Sequence, residues 1–211
     1  MRKHEPFGPY EKYIKRPQDF LCALIAIIIL SPVLFVTAIL VKINLGSPVI
    51  FKQNRPGKDG KIFVMYKFRT MLLPKNDLID PKYDSERLTP FGKKLRTTSL
   101  DELPELINVL KGDMAIVGPR PLLVQYLDRY NEYQSRRHEV RPGFTGLAQI
   151  HGRNSITWEE KFDWDVKYVD HISFLGDWKI IIDTVKIVLN KEGINSAGEA
   201  TMNEFKGSVV K

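Results

Sequence analysis

The chain has 211 residues, a length that suits one domain of ordinary size plus a membrane segment. Its 32 Lys and Arg against 25 Asp and Glu give a net charge of +7. Beside an apolar segment this balance favours lipid or phosphate partners over nucleic acid, so no nucleic-acid partner is expected. The only cysteine, Cys22, excludes an intramolecular disulfide and a cysteine-built metal cluster.

In chain order, the first element is an uncharged run over residues 20–41 with Ser31-Pro32 near its centre. A straight helix of that length would span about 30 Å of hydrocarbon. Proline removes a backbone donor, and the residue before it avoids helical geometry, so two half-helices meeting at Ser31-Pro32 compete with a kinked single-pass anchor. Lys12, Lys15 and Arg16 precede the run, and Lys42, Lys52, Arg55 and Lys58 follow it. Basic residues on both flanks fit a re-entrant segment with both ends in the cytoplasm, Ser31 bonding a carbonyl that Pro32 frees. The run is too long for a signal-peptide core, and no small-residue cleavage site follows it.

Residues 49–53 and 61–68 read as strands joined through Asn54-Arg55-Pro56-Gly57-Lys58-Asp59-Gly60, a hairpin signal. Residues 74–90 are polar and punctuated by proline, the signature of a surface loop. The pattern is helical over 98–110, with Gly112 placed beyond the C-terminus. A second helix is expected over 121–137, opened by Pro121. The apolar residues of 178–189 suit either core packing or a helix in the membrane interface. The tail, 192–211, is small and polar and reads as extended or partly disordered.

The densest chemical signal is Ser99-Leu100-Asp101-Glu102-Leu103-Pro104-Glu105. Ser99 and Glu102 have capping-box spacing, which puts two carboxylates in a helical first turn where the dipole keeps them ionised. Such a pair suits a nucleophile or a ligand for Mg²⁺, and it also suits a plain helix cap. Lys93, Lys94 and Arg96 precede it, and Pro119-Arg120-Pro121 holds a guanidinium between two prolines. Arg96 and Arg120 can form an anion pocket or hold structural carboxylates. Lys67 and Arg69 stand at a strand end and can add to that pocket. His4, His138, His151 and His171 show no metal-ligand spacing, and the chain has no GxSxG, P-loop or GxGxxG. Covalent chemistry therefore falls to a carboxylate.

Taken in order, Lys15-Arg16-Pro17-Gln18-Asp19, Ser31-Pro32, Tyr66-Lys67-Phe68-Arg69-Thr70-Met71, the Asp101-Glu102 segment, Asn108-Val109-Leu110-Lys111-Gly112-Asp113-Met114, Val117-Gly118-Pro119-Arg120-Pro121-Leu122 and Arg141-Pro142-Gly143-Phe144-Thr145-Gly146 closely resemble the bacterial sugar transferases, the monotopic phosphoglycosyl transferases. The chain is similar to their short, PglC-like members. The resemblance implies an α/β fold, mainly helical with a small β-hairpin, and three parts: residues 1–43 with a re-entrant helix-break-helix, a catalytic domain over 44–191 with interfacial amphipathic helices, and a tail over 192–211. It places the protein on the cytoplasmic face of the bacterial inner membrane.

It further implies that Asp101 attacks the β-phosphate of a UDP-sugar and passes the phosphosugar to undecaprenyl phosphate, with UMP released. Mg²⁺ would bridge the diphosphate and Asp101, and Glu102 would be the second catalytic carboxylate. Lys67, Arg96, Pro119, Arg120, Pro121, Gln149 and Arg153 carry over as substrate-side residues. Lys15, Arg16, Asp19, Ser31 and Pro32 carry over as membrane and lipid residues. Leu147 and His151 depart from the family's usual Trp and Asn, which leaves sugar contacts unassigned. Gly198-Glu199-Ala200-Thr201-Met202-Asn203-Glu204-Phe205-Lys206-Gly207 looks like the tails of enzymes using UDP-N,N′-diacetylbacillosamine or a related N-acetylated deoxy-sugar, with UDP-galactose or UDP-glucose donors second. A non-enzymatic membrane adaptor is the alternative of another class, and the oligomeric state, a homo-oligomer included, is left open.

Overall fold

The computed structural model describes residues 4–6, 8–74, 84–152, 156–190 and 204–207. A π-helical turn, Tyr10–Ile14, leads into α1, Lys15–Leu45. The hairpin follows as β1, Ile50–Pro56, and β2, Ile62–Phe68. Then come α2, Asp84–Arg87; α3, Pro90–Thr97; α4, Glu105–Lys111; and β3, Ala115–Val117. The second half holds α5, Glu132–Ser135; β4, Gly143–Thr145; α6, Leu147–Ile150; α7, Trp158–Asp170; and α8, Phe174–Asn190. Strands β1 and β2 pair antiparallel with Gln53 opposite Met65, and β3 pairs with β4 in parallel. The architecture is mostly helical with two small sheets.

Helix α1 continues through Pro32, where two separate half-helices were expected. Proline leaves the carbonyl four residues earlier without its donor. The Ser31 hydroxyl donates to that carbonyl, Ile28 O, at 2.8 Å, and so replaces the missing bond. Most of the apolar surface of α1 is exposed, Ile28, Ile29, Phe35 and Val36 among it. It is the one helix among the described residues long and apolar enough to cross a membrane, and it fits membrane association.

Both halves of α1 lean on the domain. Ala23, Ala26 and Ile27 pack with Met65, Leu106, Val109 and Met114, while Val41 and Leu45 pack with Phe68 and Leu95. At its start, Lys15 donates to Val117 O (3.1 Å) and pairs with Asp177 (2.7 Å). Arg16 caps α4 through Val109 O (2.7 Å) and Leu110 O (2.9 Å), and Asp19 accepts from Ile116 N at 3.1 Å. At its end, Arg69 donates to Leu45 O and Ser47 O. Arg69 therefore caps α1 and is not part of an anion pocket, which corrects its expected place.

The predicted helix over 98–110 begins later. Ser99 adopts a left-handed conformation (φ 56°) without a side-chain cap, residues 100–102 form one 3₁₀ turn, and α4 starts at Glu105. The capping box of Ser99 with Glu102 is absent because Glu102 is drawn to two cations, described below. Gly112 does end α4, in the left-handed region at φ 90°. The predicted helix over 121–137 is broken into a 3₁₀ stretch, Val124–Arg129, then α5, then a second 3₁₀ turn, Arg136–His138. Tyr130 is extended there, and Asn131 with Gln134 starts α5 anew with a reciprocal cap.

Helix α8 buries Ile180 with Val117, Val169 and Ile172 but exposes Phe174, Leu175, Trp178, Ile182 and Val185. The tail lies outside the described residues except for 204–207. Phe205 is 2% exposed and sits among Tyr126, Tyr130, Trp158 and Phe162.

Candidate active site

Three elements bring the charged residues together. The end of β2 carries Lys67, the 3₁₀ turn before α4 carries Asp101 and Glu102, and the loop after β3 carries Arg120. Asn108, fully buried on α4, fixes two of them relative to each other. It donates to Val64 O (2.7 Å) and accepts from Tyr66 N (3.1 Å), binding α4 to the strand that holds Lys67. The Arg120 loop is placed by close backbone approach at β3 and β4. A Cβ on Gly143 would lie 2.1 Å from Gly118 N, so neither strand end admits a larger residue there.

Glu102 is held on both sides. Lys67 Nζ lies 2.8 Å from Oε1, and the Arg120 guanidinium donates to both carboxylate oxygens. Burial works to raise its pKa, but Arg120 and Lys67 outweigh it and hold Glu102 well below the usual carboxylate range. The Glu102 charge in turn raises Arg120 above its ordinary value. Lys67 also lies 3.0 Å from Glu105, a carboxylate 1% exposed whose pKa burial raises.

Asp101 is the contrasting group. It is 7% exposed and has no hydrogen bond or ion pair among the described residues. Burial, then the neighbouring Glu102 charge, pushes it up to about 7 despite Lys67, Arg96 and Arg120. The expectation that both carboxylates stay ionised thus holds for Glu102 and is corrected for Asp101, because the turn is buried and one short turn supplies little helix dipole.

Arg96 donates to Thr70 Oγ1 at 3.0 Å, whereas Lys93 and Lys94 point to solvent. Gln149 donates to Phe144 O at 3.3 Å, and its Oε1 is buried without a partner among the described residues. His151 stacks on Trp164 at 3.8 Å. Arg153 lies outside the described residues. Lys15, Arg16 and Asp19 bond to β3, α4 and α8 and not to the Asp101-Glu102 pair.

Sequence reasoning passed over three neighbours. Glu105 closes the same acidic segment three residues after Glu102, which was a usable signal. Arg55 is drawn down to about 10 by burial and by Arg120, and Lys161 down to about 8 by the same two causes. Neither carried a local motif, because only the fold brings the hairpin and α7 beside the Arg120 loop.

A metal fits this centre in a limited way. No group of three or more His, Cys, Asp or Glu gathers among the described residues. Mg²⁺ usually takes one or two carboxylates plus substrate phosphates, and Asp101 offers one carboxylate without a cation on it.

A free buried carboxylate ringed by Lys67, Arg96 and Arg120, beside a long exposed apolar helix, defines a class: a membrane-associated protein that handles phosphate groups. The sequence profile described as Bacterial sugar transferase matches residues 10–191, and the chain belongs to that family. Membership makes it an enzyme of the transferase class.

It is 50% identical to the uncharacterized sugar transferase EpsL of Bacillus subtilis over 195 residues, 92% of this chain and 96% of that protein. It is 46% identical to the galactosyl transferase CpsE of Streptococcus agalactiae over 158 residues, 68% of this chain and 35% of that one. Against the UDP-glucose:undecaprenyl-phosphate glucose-1-phosphate transferase of Escherichia coli it is 40% identical over 190 residues, 85% of this chain and 41% of that one. The chain thus spans nearly all of the first relative and less than half the length of the other two.

Proposed function

We propose that the protein moves a sugar 1-phosphate from a UDP-sugar to undecaprenyl phosphate and releases UMP. The observation that carries this reading is the unequal state of two adjacent carboxylates. Glu102 is neutralised by Lys67 and Arg120 and cannot readily attack, while Asp101 has no partner and lies among the same cations. An Asp101 oxygen forms a bond to the β-phosphorus as the bond to the UMP oxygen breaks. The phosphate oxygen of the lipid then attacks the same phosphorus and frees Asp101. Arg120, Arg96 and Lys67 stabilise charge on the transferring phosphoryl group, and Glu102 holds two of those cations in place. Mg²⁺, held by Asp101 and the donor diphosphate, would supply further neutralisation of phosphate charge.

Both ends of α1 are bonded to one domain, Lys15 and Arg16 at the start and Leu45 at the end. This supports a re-entrant segment with its ends on the same, cytoplasmic, side. Aromatic and aliphatic residues exposed on α8 support that helix as an interfacial one. For the donor we put an N-acetylated deoxy-sugar such as UDP-N,N′-diacetylbacillosamine first, on the tail resemblance. UDP-glucose and UDP-galactose come second, because the Escherichia coli relative is named for UDP-glucose and the Streptococcus agalactiae relative for galactosyl transfer.

The test is nucleotide release by the purified protein with Mg²⁺, undecaprenyl phosphate and a panel of UDP-sugars. UMP from one donor, abolished in Asp101→Asn, is the expected result. Release of UDP, or UMP release unaltered in that variant, would sink the reading.

A further inference from the structure

The Pro119-Arg120-Pro121 turn has few ways of being held. Its prolines have no N–H, so two of its three residues attach to the fold only through their carbonyls. Pro119 O accepts from Gly143 N at 2.9 Å, and Pro121 O accepts from Arg55 at 3.4 Å. The carbonyl of Arg120 itself accepts from Arg137 Nη2 at 2.6 Å, the shortest of the three.

Arg137 is set for that contact. It is 3% exposed, and Asp165 on α7, also 3% exposed, takes its Nε at 3.0 Å and its Nη2 at 2.8 Å. Tyr130 accepts from Nη1 at 3.3 Å. A buried ion pair of this kind loses much of its Coulomb energy to desolvation, so stability alone gives little reason for its presence. One guanidinium nitrogen is shared between Asp165 and the Arg120 backbone, which makes the pair a strut from α7 to the turn. The Arg120 side chain then reaches Glu102, and the proposed nucleophile, Asp101, is the residue just before it in the chain.

We propose that Arg137, oriented by Asp165, is a positioning residue for Arg120. It fixes the backbone from which the Arg120 guanidinium meets the donor phosphate, and it touches no substrate itself. This inference rests on the phosphotransfer reading of the site. Lysine at position 137 can pair with Asp165 but lacks the planar fork in which Nε holds Asp165 while Nη2 also reaches the Arg120 carbonyl.

The experiment is a double-mutant cycle on UMP release, with thermal melting of each variant as a check on folding. Arg137→Lys is expected to lower kcat/KM for the UDP-sugar by about tenfold in the wild-type background and by less than about twofold in Arg120→Gln. Asp165→Asn should behave in the same way, and it carries the cycle if Arg137→Lys does not fold. Losses of equal size in both backgrounds would overturn the positioning role while leaving the proposed function standing. A folded wild type that releases no UMP from any donor defeats the phosphotransfer reading itself.

Discussion

Asp101 and Glu102 are adjacent in the chain and end in opposite electrostatic conditions, and that difference carries measurable consequences. The folded-state pKa of Asp101 is raised, so folding disfavours its ionised form. The cost is absent below the unfolded pKa near 4 and complete above about 7, so stability falls as pH rises through that window. Asp101→Asn should therefore remove activity yet raise Tm at pH 8, with little change at pH 4, by roughly 2–4 °C per kcal/mol recovered in a chain of this size. A lower Tm at pH 8 would contradict the buried, unpaired carboxylate. Glu102→Gln works the other way: Lys67 and Arg120 lose their shared counter-charge, and a destabilisation of about 2 kcal/mol is expected in urea unfolding. Asn108→Ala strips two part-buried backbone groups of β2, Tyr66 N and Val64 O, of their partner and should cost on the order of 2 kcal/mol.

At the scale of elements, local chemistry and tertiary demand divide the credit. The hairpin was legible because β-rich runs flank a proline-glycine turn, and β1 only runs three residues further than expected, to Pro56. The Gly112 stop was legible for the same local reason. The helix expected over 121–137 was not, since Leu123, Tyr126 and Tyr130 are held by packing around Phe162 and Phe205 and not by a continuous helix. That packing makes the tail a testable element. Phe205→Ala should lower stability by about 1.5–3 kcal/mol, the worth of one buried aromatic side chain, with Arg129 and Glu204 too exposed to compensate. An unchanged Tm would show that the docked tail contributes nothing.

At the scale of the whole molecule, α1 is the element whose meaning depends on everything else. A helix of 31 residues extends about 45 Å, long enough to cross a bilayer. Yet Lys15, Asp19 and Arg16 bond to α8, β3 and α4, and Leu45 bonds back to the residue after β2. Single cysteines placed before Lys15 and after Leu45, in a Cys22→Ala background, should both be blocked only by a membrane-permeant reagent in intact cells. Labelling of either site by an impermeant reagent would establish a spanning helix.

The sequence by itself determined the apolar run, its Ser31-Pro32 pair, the hairpin, the acidic pair and the arginine between two prolines, because each is written in adjacent residues obeying local rules. The tertiary structure alone decided which carboxylate is neutralised and which is left free, since Lys67, Glu102 and Arg120 meet only after β2, α4 and the loop beyond β3 pack together. It alone decided that Arg69 and Arg16 cap helices while Arg137 braces the Arg120 turn. A guanidinium binds a helix end, a carboxylate or a phosphate with the same fork of donors, and only its surroundings in three dimensions choose among them.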